Sequence, residues 1–312
     1  MRVGIVGAGI SGAYLAHELT AAGHEVSVFE KSRGLGGRLA TRRGEGLQFD
    51  HGAPFITART GRFKQVLKVH QQSTAEWSPK VTTLSAGKKR YKRDWFEPHY
   101  VGQPKMSALC SSLLSSCDVH LQHQVVQVRA EGRGCRVDFQ EGATQLFDWV
   151  ISTAPAEQTA ALMPVDLSHV AYDPSFAVFG EIEDHVSFDA AVVLDSPLAW
   201  IEFTHRKPGR VSRPTLVAQS TRSWASDHFD VPLDEVKPQL ELALNELGLS
   251  FIGVPAIHRW RYAHVSKPHD EPFWLDADRK MAACGDWGLG PTVEDAFSSA
   301  HQLLEHWLQQ IT

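Results

Sequence analysis

Six residues near the N-terminus, Gly7-Ala8-Gly9-Ile10-Ser11-Gly12, have the types and spacing that hold a diphosphate. The first glycine permits a tight turn, the second lets backbone approach a pyrophosphate, and the third lets a helix pack on a strand. The loop follows an apolar run, Val3 to Val6, and opens a helical stretch, so unpaired N–H groups and the positive end of a helix dipole would face the anion. Eighteen residues after Gly12 stands Glu30, at the end of the next strand-like run, where a carboxylate accepts hydrogen bonds from a ribose. An ordinary glycine turn in a βαβ unit is the alternative. Strand, helix and acidic residue in that order favour a dinucleotide.

The elements that must position this loop are a strand at 2–6, a helix at about 11–22 closed by Gly23, and a strand at 25–30. A short strand at 47–50, a helix at 62–73, strands at 81–91 joined through Gly87-Lys88, and a helix opened by Pro104 follow. Strands dominate from Val119 to Ser152. From 169 to 262 the texture changes to short β-like runs, such as 176–182 and 215–219, with a helix at 233–247. The end returns to α/β, with a strand at 281–284, a glycine turn and a helix whose apolar face carries Val293, Phe297, Ala300, Leu304, Trp307 and Leu308. Thr292 and Asp295 have the spacing of a capping box.

Composition bounds the function classes. With 31 Lys+Arg against 36 Asp+Glu, a net charge of −5 argues against nucleic acid or an anionic membrane as partner, so anion binding must be local. No stretch reaches the roughly 18 apolar residues of a spanning helix. Cysteines at 110, 117, 135 and 284 form no C-x-x-C and no metal-type cluster, which suits a reducing, cytoplasmic setting without disulfides or a bound metal. His120 and His123 sit in a strand-like run whose alternation would point them to opposite faces, making them poor joint ligands.

Beyond Glu30, Lys31-Ser32-Arg33-Gly34-Leu35-Gly36-Gly37-Arg38 resembles the second glycine motif of the flavin amine oxidase superfamily. The resemblance implies FAD, with Arg38 by its pyrophosphate and Lys31 and Gly37 beside it, and the lack of a cysteine placed for a flavin bond makes non-covalent binding the expectation. It matches Asp50-His51-Gly52-Ala53 to a segment passing the flavin ring, which brings Ala53, Pro54 and Phe55 to the cofactor. Leu121 to Val125 is similar to the strand whose valine backbone, here Val125, reads the adenine. Val150 to Pro155 is similar to the return strand. Ala283-Cys284-Gly285-Asp286-Trp287 and Gly290-Pro291-Thr292 resemble the C-terminal FAD motif, placing Asp286 at the ribityl or diphosphate region and Val293 at the start of a helix aimed at the flavin. With Gly7, Gly9, Ser11, Gly12 and Glu30, these are the expected cofactor residues.

Within the superfamily, the His258 to Ala263 run, the Trp200 strand before Lys207-Pro208-Gly209-Arg210, and the stretch around Ser223-Trp224 resemble the renalase family along essentially the whole chain. That family implies an oxidase that takes hydride from isomeric, misreduced NAD(P)H, regenerates NAD(P)+ and reduces O2 to H2O2. Phe55, Thr57, Arg59, Trp200, Arg210 and Tyr262 are the candidate substrate contacts, with the basic run His205 to Arg213 expected at the cleft mouth. Solvated surface charge is the alternative reading for these cations. The chain departs from the family where Pro54-Phe55 replaces the usual Gln-Tyr, and no lysine is assigned to the water-bridging role of amine oxidases. An amine oxidase and a non-catalytic flavin-binding redox sensor are the alternatives. The expected architecture is α/β: a Rossmann-type FAD-binding domain from 1–53, 101–154 and 275–312, with an inserted β-rich α+β substrate domain from 54–100 and 155–274.

Overall fold

In a computed structural model that describes residues 1–94 and 97–311, two large sheets border one cavity. The first is a six-stranded Rossmann-type sheet. Its strands run in the order Asp118–Leu121, Glu25–Glu30, Arg2–Val6, Trp149–Ser152, Met281–Cys284 and Phe273–Asp276, and all but the last pair are parallel. Strands buried on both faces read as continuous apolar runs. Here Val3 and Ile5 face the helices, while Val6 and Val150 face an antiparallel ribbon of Val125–Glu131, Gly134–Phe139 and Thr144–Phe147. Helices Ile10–Ala21 and Val293–Ile311 pack together on the first face, with the Tyr14 and Phe297 rings 4.5 Å apart.

The second sheet has seven strands: Phe251–Lys267, Ala171–Ile182, Thr215–Ser220, Leu198–Phe203, Ala190–Val193, Val81–Leu84 and Tyr91–Lys92, in that order. Helix Leu233–Glu246 seals one face through Val236, Leu240 and Leu244. Toward the other face, Phe49, Phe179 and Val217 pack under Trp260. The expected hairpin through Gly87-Lys88 is present, pairing Thr83 with Tyr91. The chain enters this sheet only between strands of the first, so the architecture is α/β with a β-rich unit set into the Rossmann frame.

Pro104 does not open a helix. Helix Ala108–Leu113 starts four residues later, because the intervening backbone bonds sideways: the Pro104 carbonyl accepts from Gln48 Nε2 at 2.8 Å, and Met106 N–H donates to Thr41 Oγ1 at 3.0 Å. No helix among the described residues is long and apolar enough to cross a membrane.

Candidate active site

A cavity of about 1810 Å³ runs along the carboxyl ends of the parallel strands and under the second sheet. That is where open α/β sheets bind ligands, and the volume exceeds the usual 300–1,000 Å³ of a single-ligand pocket. It has room for a dinucleotide and a second molecule.

At one end lies the glycine turn. Gly9 caps helix Ile10–Ala21 without a side chain, and a Cβ built on it would meet no heavy atom within 4 Å, only the cavity. A Cβ on Gly12 would overlap the Gly7 carbonyl instead, so that glycine serves packing. Ser11 lines the cavity but its hydroxyl is bound to the Ala296 carbonyl at 2.7 Å, tying the first helix to the last. The buried Glu30 carboxylate accepts from Ala8 N–H at 3.0 Å and Ser32 N–H at 2.8 Å, clasping the two glycine segments while still facing the cavity. Lys31 reaches Gln158 at the rim.

Gly37 and Arg38 form a turn whose guanidinium binds both oxygens of Asp286 and the Tyr262 carbonyl, so the second and last motifs meet around one ion pair. The Arg38 carbonyl accepts Ala53 N–H at 2.8 Å, which sets Ala53, Pro54 and Phe55 along the wall. Val125 also lines it, packed with Val6 and Phe29 beside the glycine turn. At Val293 the terminal helix begins at the cavity, and its capping box is formed: Asp295 N–H donates to Thr292 Oγ1 at 3.1 Å, and Thr292 N–H to Asp295 Oδ2 at 2.9 Å. All fourteen expected cofactor residues except Gly12 line this one space. Open space at Gly9, the Glu30 carboxylate as acceptor and the Arg38 guanidinium, all lining one cavity, fit a dinucleotide such as FAD.

The substrate candidates divide. Phe55, Thr57 and Tyr262 line the cavity, with the Tyr262 hydroxyl donating to Glu157 at 2.7 Å. The other three do not line it. Trp200 stands behind Phe55, ring centroids 5.6 Å apart, and its indole donates to Glu202. Arg59 points away to Glu97 at the surface. Arg210 is a correction: its guanidinium is fully buried on Asp50 at 2.6 Å and on the Gly102 carbonyl, so it offers nothing to a substrate phosphate. The rest of that basic run is engaged too, Arg206 with Asp184 and Arg213 with Glu181.

Strand Phe251–Lys267 supplies what replaces them. His258, Trp260, Arg261, Tyr262, Ala263 and His264 line the cavity; strict alternation fails after Trp260, where the pairing with strand Ala171–Ile182 shifts register. The Trp260 indole donates to the His51 carbonyl at 2.8 Å, and the His51 and His258 rings are 5.1 Å apart. Burial, then the His258 and Arg42 charges, lower His51 to about 4; burial and Arg222 lower His264 likewise to about 4. Both are neutral at pH 7. Seven cationic residues line the cavity, Lys31, Arg33, Arg38, Arg42, Arg43, Arg222 and Arg261, against three acidic ones, Glu30, Glu45 and Asp286. A mildly acidic protein thus concentrates positive charge where a ligand would sit.

His120 and His123 are closer than strand alternation predicts, with rings 5.3 Å apart, because the strand ends at Leu121 and Gln122 turns the chain at φ 60°. Even so, no group of three His, Cys, Asp or Glu among the described residues is placed to hold a metal. No cysteine lines the cavity.

Comparison with known proteins agrees with this geometry. Residues 5–72 match the family described as an NAD(P)-binding Rossmann-like domain. Renalase from Mus musculus is 25% identical over 324 aligned positions, covering 92% of this chain and 93% of the mouse protein. Among solved structures, a putative protoporphyrinogen oxidase from Exiguobacterium superposes with a TM-score of 0.76 at 12% identity over 99% of both chains. A putrescine oxidase bound to putrescine gives 0.71 at 14% identity, again over 99% of both, a likeness of fold.

Proposed function

We propose that this renalase homologue, a Rossmann-type flavoprotein oxidoreductase of the amine oxidase superfamily, binds FAD non-covalently and oxidises isomeric dihydronicotinamide dinucleotides. One substrate molecule and O2, with a proton, would give NAD(P)+ and H2O2. When bound, FAD supplies the hydride acceptor. The chain's residues would hold it through the open backbone at Gly9, the Glu30 carboxylate, the Arg38–Asp286 pair and the dipole end of the helix at Val293.

The observation that carries the choice of donor is the charge of the wall: seven cationic residues against three acidic ones. Arg38 and Asp286 neutralise each other, which leaves six cations against Glu30 and Glu45. An ammonium substrate would meet net repulsion there, whereas a dinucleotide brings phosphates that Arg42, Arg43, Arg222 or Arg261 can receive. The neutral His51, His258 and His264 beside Trp260 offer an uncharged, ring-rich surface. A dihydronicotinamide gains aromaticity on losing hydride, so the protein's task is orientation and exclusion of water, with no obligatory base. Phosphate contacts remote from the ring act alike in ground and transition states. Raising ionic strength from about 0.05 M to about 0.5 M, which shortens the screening length severalfold, should therefore raise KM several-fold and leave kcat nearly unchanged. A KM independent of salt would refute the role of the cationic wall.

A further inference from the structure

We infer that Lys207 and Glu202 are positioning residues for the cavity wall at Pro54 and Phe55, and that proton exchange on Glu202 shifts this wall. The inference rests on the wall alone and is independent of which donor is oxidised.

Four charged side chains, Lys207, Arg210, Asp50 and Glu202, are essentially inaccessible to solvent behind the segment 50–55. Taking such ions out of water is costly, and well-packed apolar residues would often be as stable. Their arrangement is aimed at one place. The Lys207 ammonium has three protons and three partners: Glu202 Oε1 at 2.5 Å, the Pro54 carbonyl at 2.7 Å and Asp50 Oδ2 at 3.3 Å. It holds the carbonyl of a wall residue by a charge-assisted bond. Glu202 serves the next residue, since it accepts the Trp200 indole N–H at 3.2 Å and Trp200 abuts Phe55. Phe55 in turn meets His99 edge-on at 4.2 Å. Two arms of one buried cluster thus reach two consecutive wall residues.

Glu202 is also the member whose charge is in balance. Burial pushes it up to about 7; Lys207 and the Trp200 indole oppose the rise and Asp50 adds to it. Arg210 and Thr41 Oγ1 bind Asp50 from the other side, and the Trp77 ring covers Lys207 at 5.3 Å. Asp50 itself is held below the usual carboxylate range: burial would raise it, but Lys207 and Arg210 together prevail. Burial lowers His99, beside Phe55, to about 4, so it stays neutral. With Asp50 ionised and both cations charged, protonating Glu202 takes the cluster from neutral to a single positive charge. It also weakens the acceptor shared by Lys207 and Trp200.

The test uses the FAD-loaded protein. The indole 1H–15N resonance of Trp200, assigned by its loss in Trp200→Phe, should titrate in the wild type with a midpoint near the value of about 7 given by burial of Glu202. The FAD dissociation constant should change about threefold or more across the same range. In Glu202→Gln, which keeps the size, accepts through one oxygen only and cannot titrate, both should be flat. A Trp200 resonance that ignores pH in the wild type, or the same titration in Glu202→Gln, overturns the inference. Lys207→Met should weaken FAD binding about tenfold; if it does not fold, the Glu202→Gln comparison still decides. A static structural role for the cluster would leave no titration to abolish. Failure of the donor assignment would leave the indole result unchanged.

Discussion

Adding one methyl group at Gly9 separates cofactor binding from folding. The backbone there is extended, with φ −76° and ψ −173°, which alanine adopts readily, and its Cβ would touch nothing in the protein. Replacing glycine at a compatible position stabilises a fold by about 0.4–1 kcal/mol through the unfolded chain. Gly9→Ala should therefore leave the apoprotein's Tm unchanged or slightly raised. Binding should suffer, because the methyl occupies the space through which a pyrophosphate reaches the amides. Losing one or two charge-assisted hydrogen bonds, at about 1.5–3 kcal/mol each, weakens FAD affinity by roughly tenfold to more than a hundredfold. Gly12→Ala is the contrast: its methyl strikes the Gly7 carbonyl, so it should unfold the turn itself. Thermal scans of apoprotein with fluorescence titration of FAD read both quantities. A Gly9→Ala protein that binds FAD as tightly as the wild type would refute the placement of the pyrophosphate on this loop.

Acid precipitation of holoprotein should release all the yellow chromophore, since no cysteine lines the cavity; colour kept in the pellet would point to a covalent bond. Burial holds His51, His99 and His264 at about 4, whereas the unfolded chain protonates histidine near 6.5. Between those values the unfolded state binds more protons, so stability falls as pH drops through that window. The apoprotein's Tm should decline from about pH 6.5 downward, and His264→Phe should shallow the decline; an unaltered slope in that variant contradicts the assignment. Glu30→Ala should both lower Tm and weaken FAD binding, because its carboxylate clasps Ala8 and Ser32 as well as facing the cavity; a loss of neither quantity would reduce it to a strand-end residue.

The βαβ start and the C-terminal motif were legible because their signals are local. An apolar strand, a glycine turn and an acidic strand end lie within thirty residues, and Thr292 with Asp295 are three apart. The sequence does not place Arg210, because the cation run around it resembles a solvated turn until Asp50, 160 residues away, is brought against it. Trp200 looks like a contact in the sequence for the same reason, since only the folded sheet puts Phe55 in front of it. The His258 to His264 wall could have been found from its alternation of ring side chains on one strand. Arg42 and Arg43 had no such signal. They sit on a hairpin whose placement over the cavity depends on Thr41, Gln48 and Asp50 bonding to distant elements. His120 and His123 show that alternation holds only while the strand continues, and here it stops at Leu121.

The most direct test of the proposed chemistry is anaerobic mixing of the oxidised holoprotein with candidate donors while following the flavin band at about 450 nm. Isomeric dihydronicotinamide dinucleotides should bleach it within a single turnover, simple primary amines should do so slowly or not at all, and readmitted air should restore the colour with formation of H2O2. Rapid bleaching by an amine with the dihydronicotinamides inert would contradict the account in favour of an amine oxidase, and bleaching by neither would leave a flavin-binding sensor without turnover.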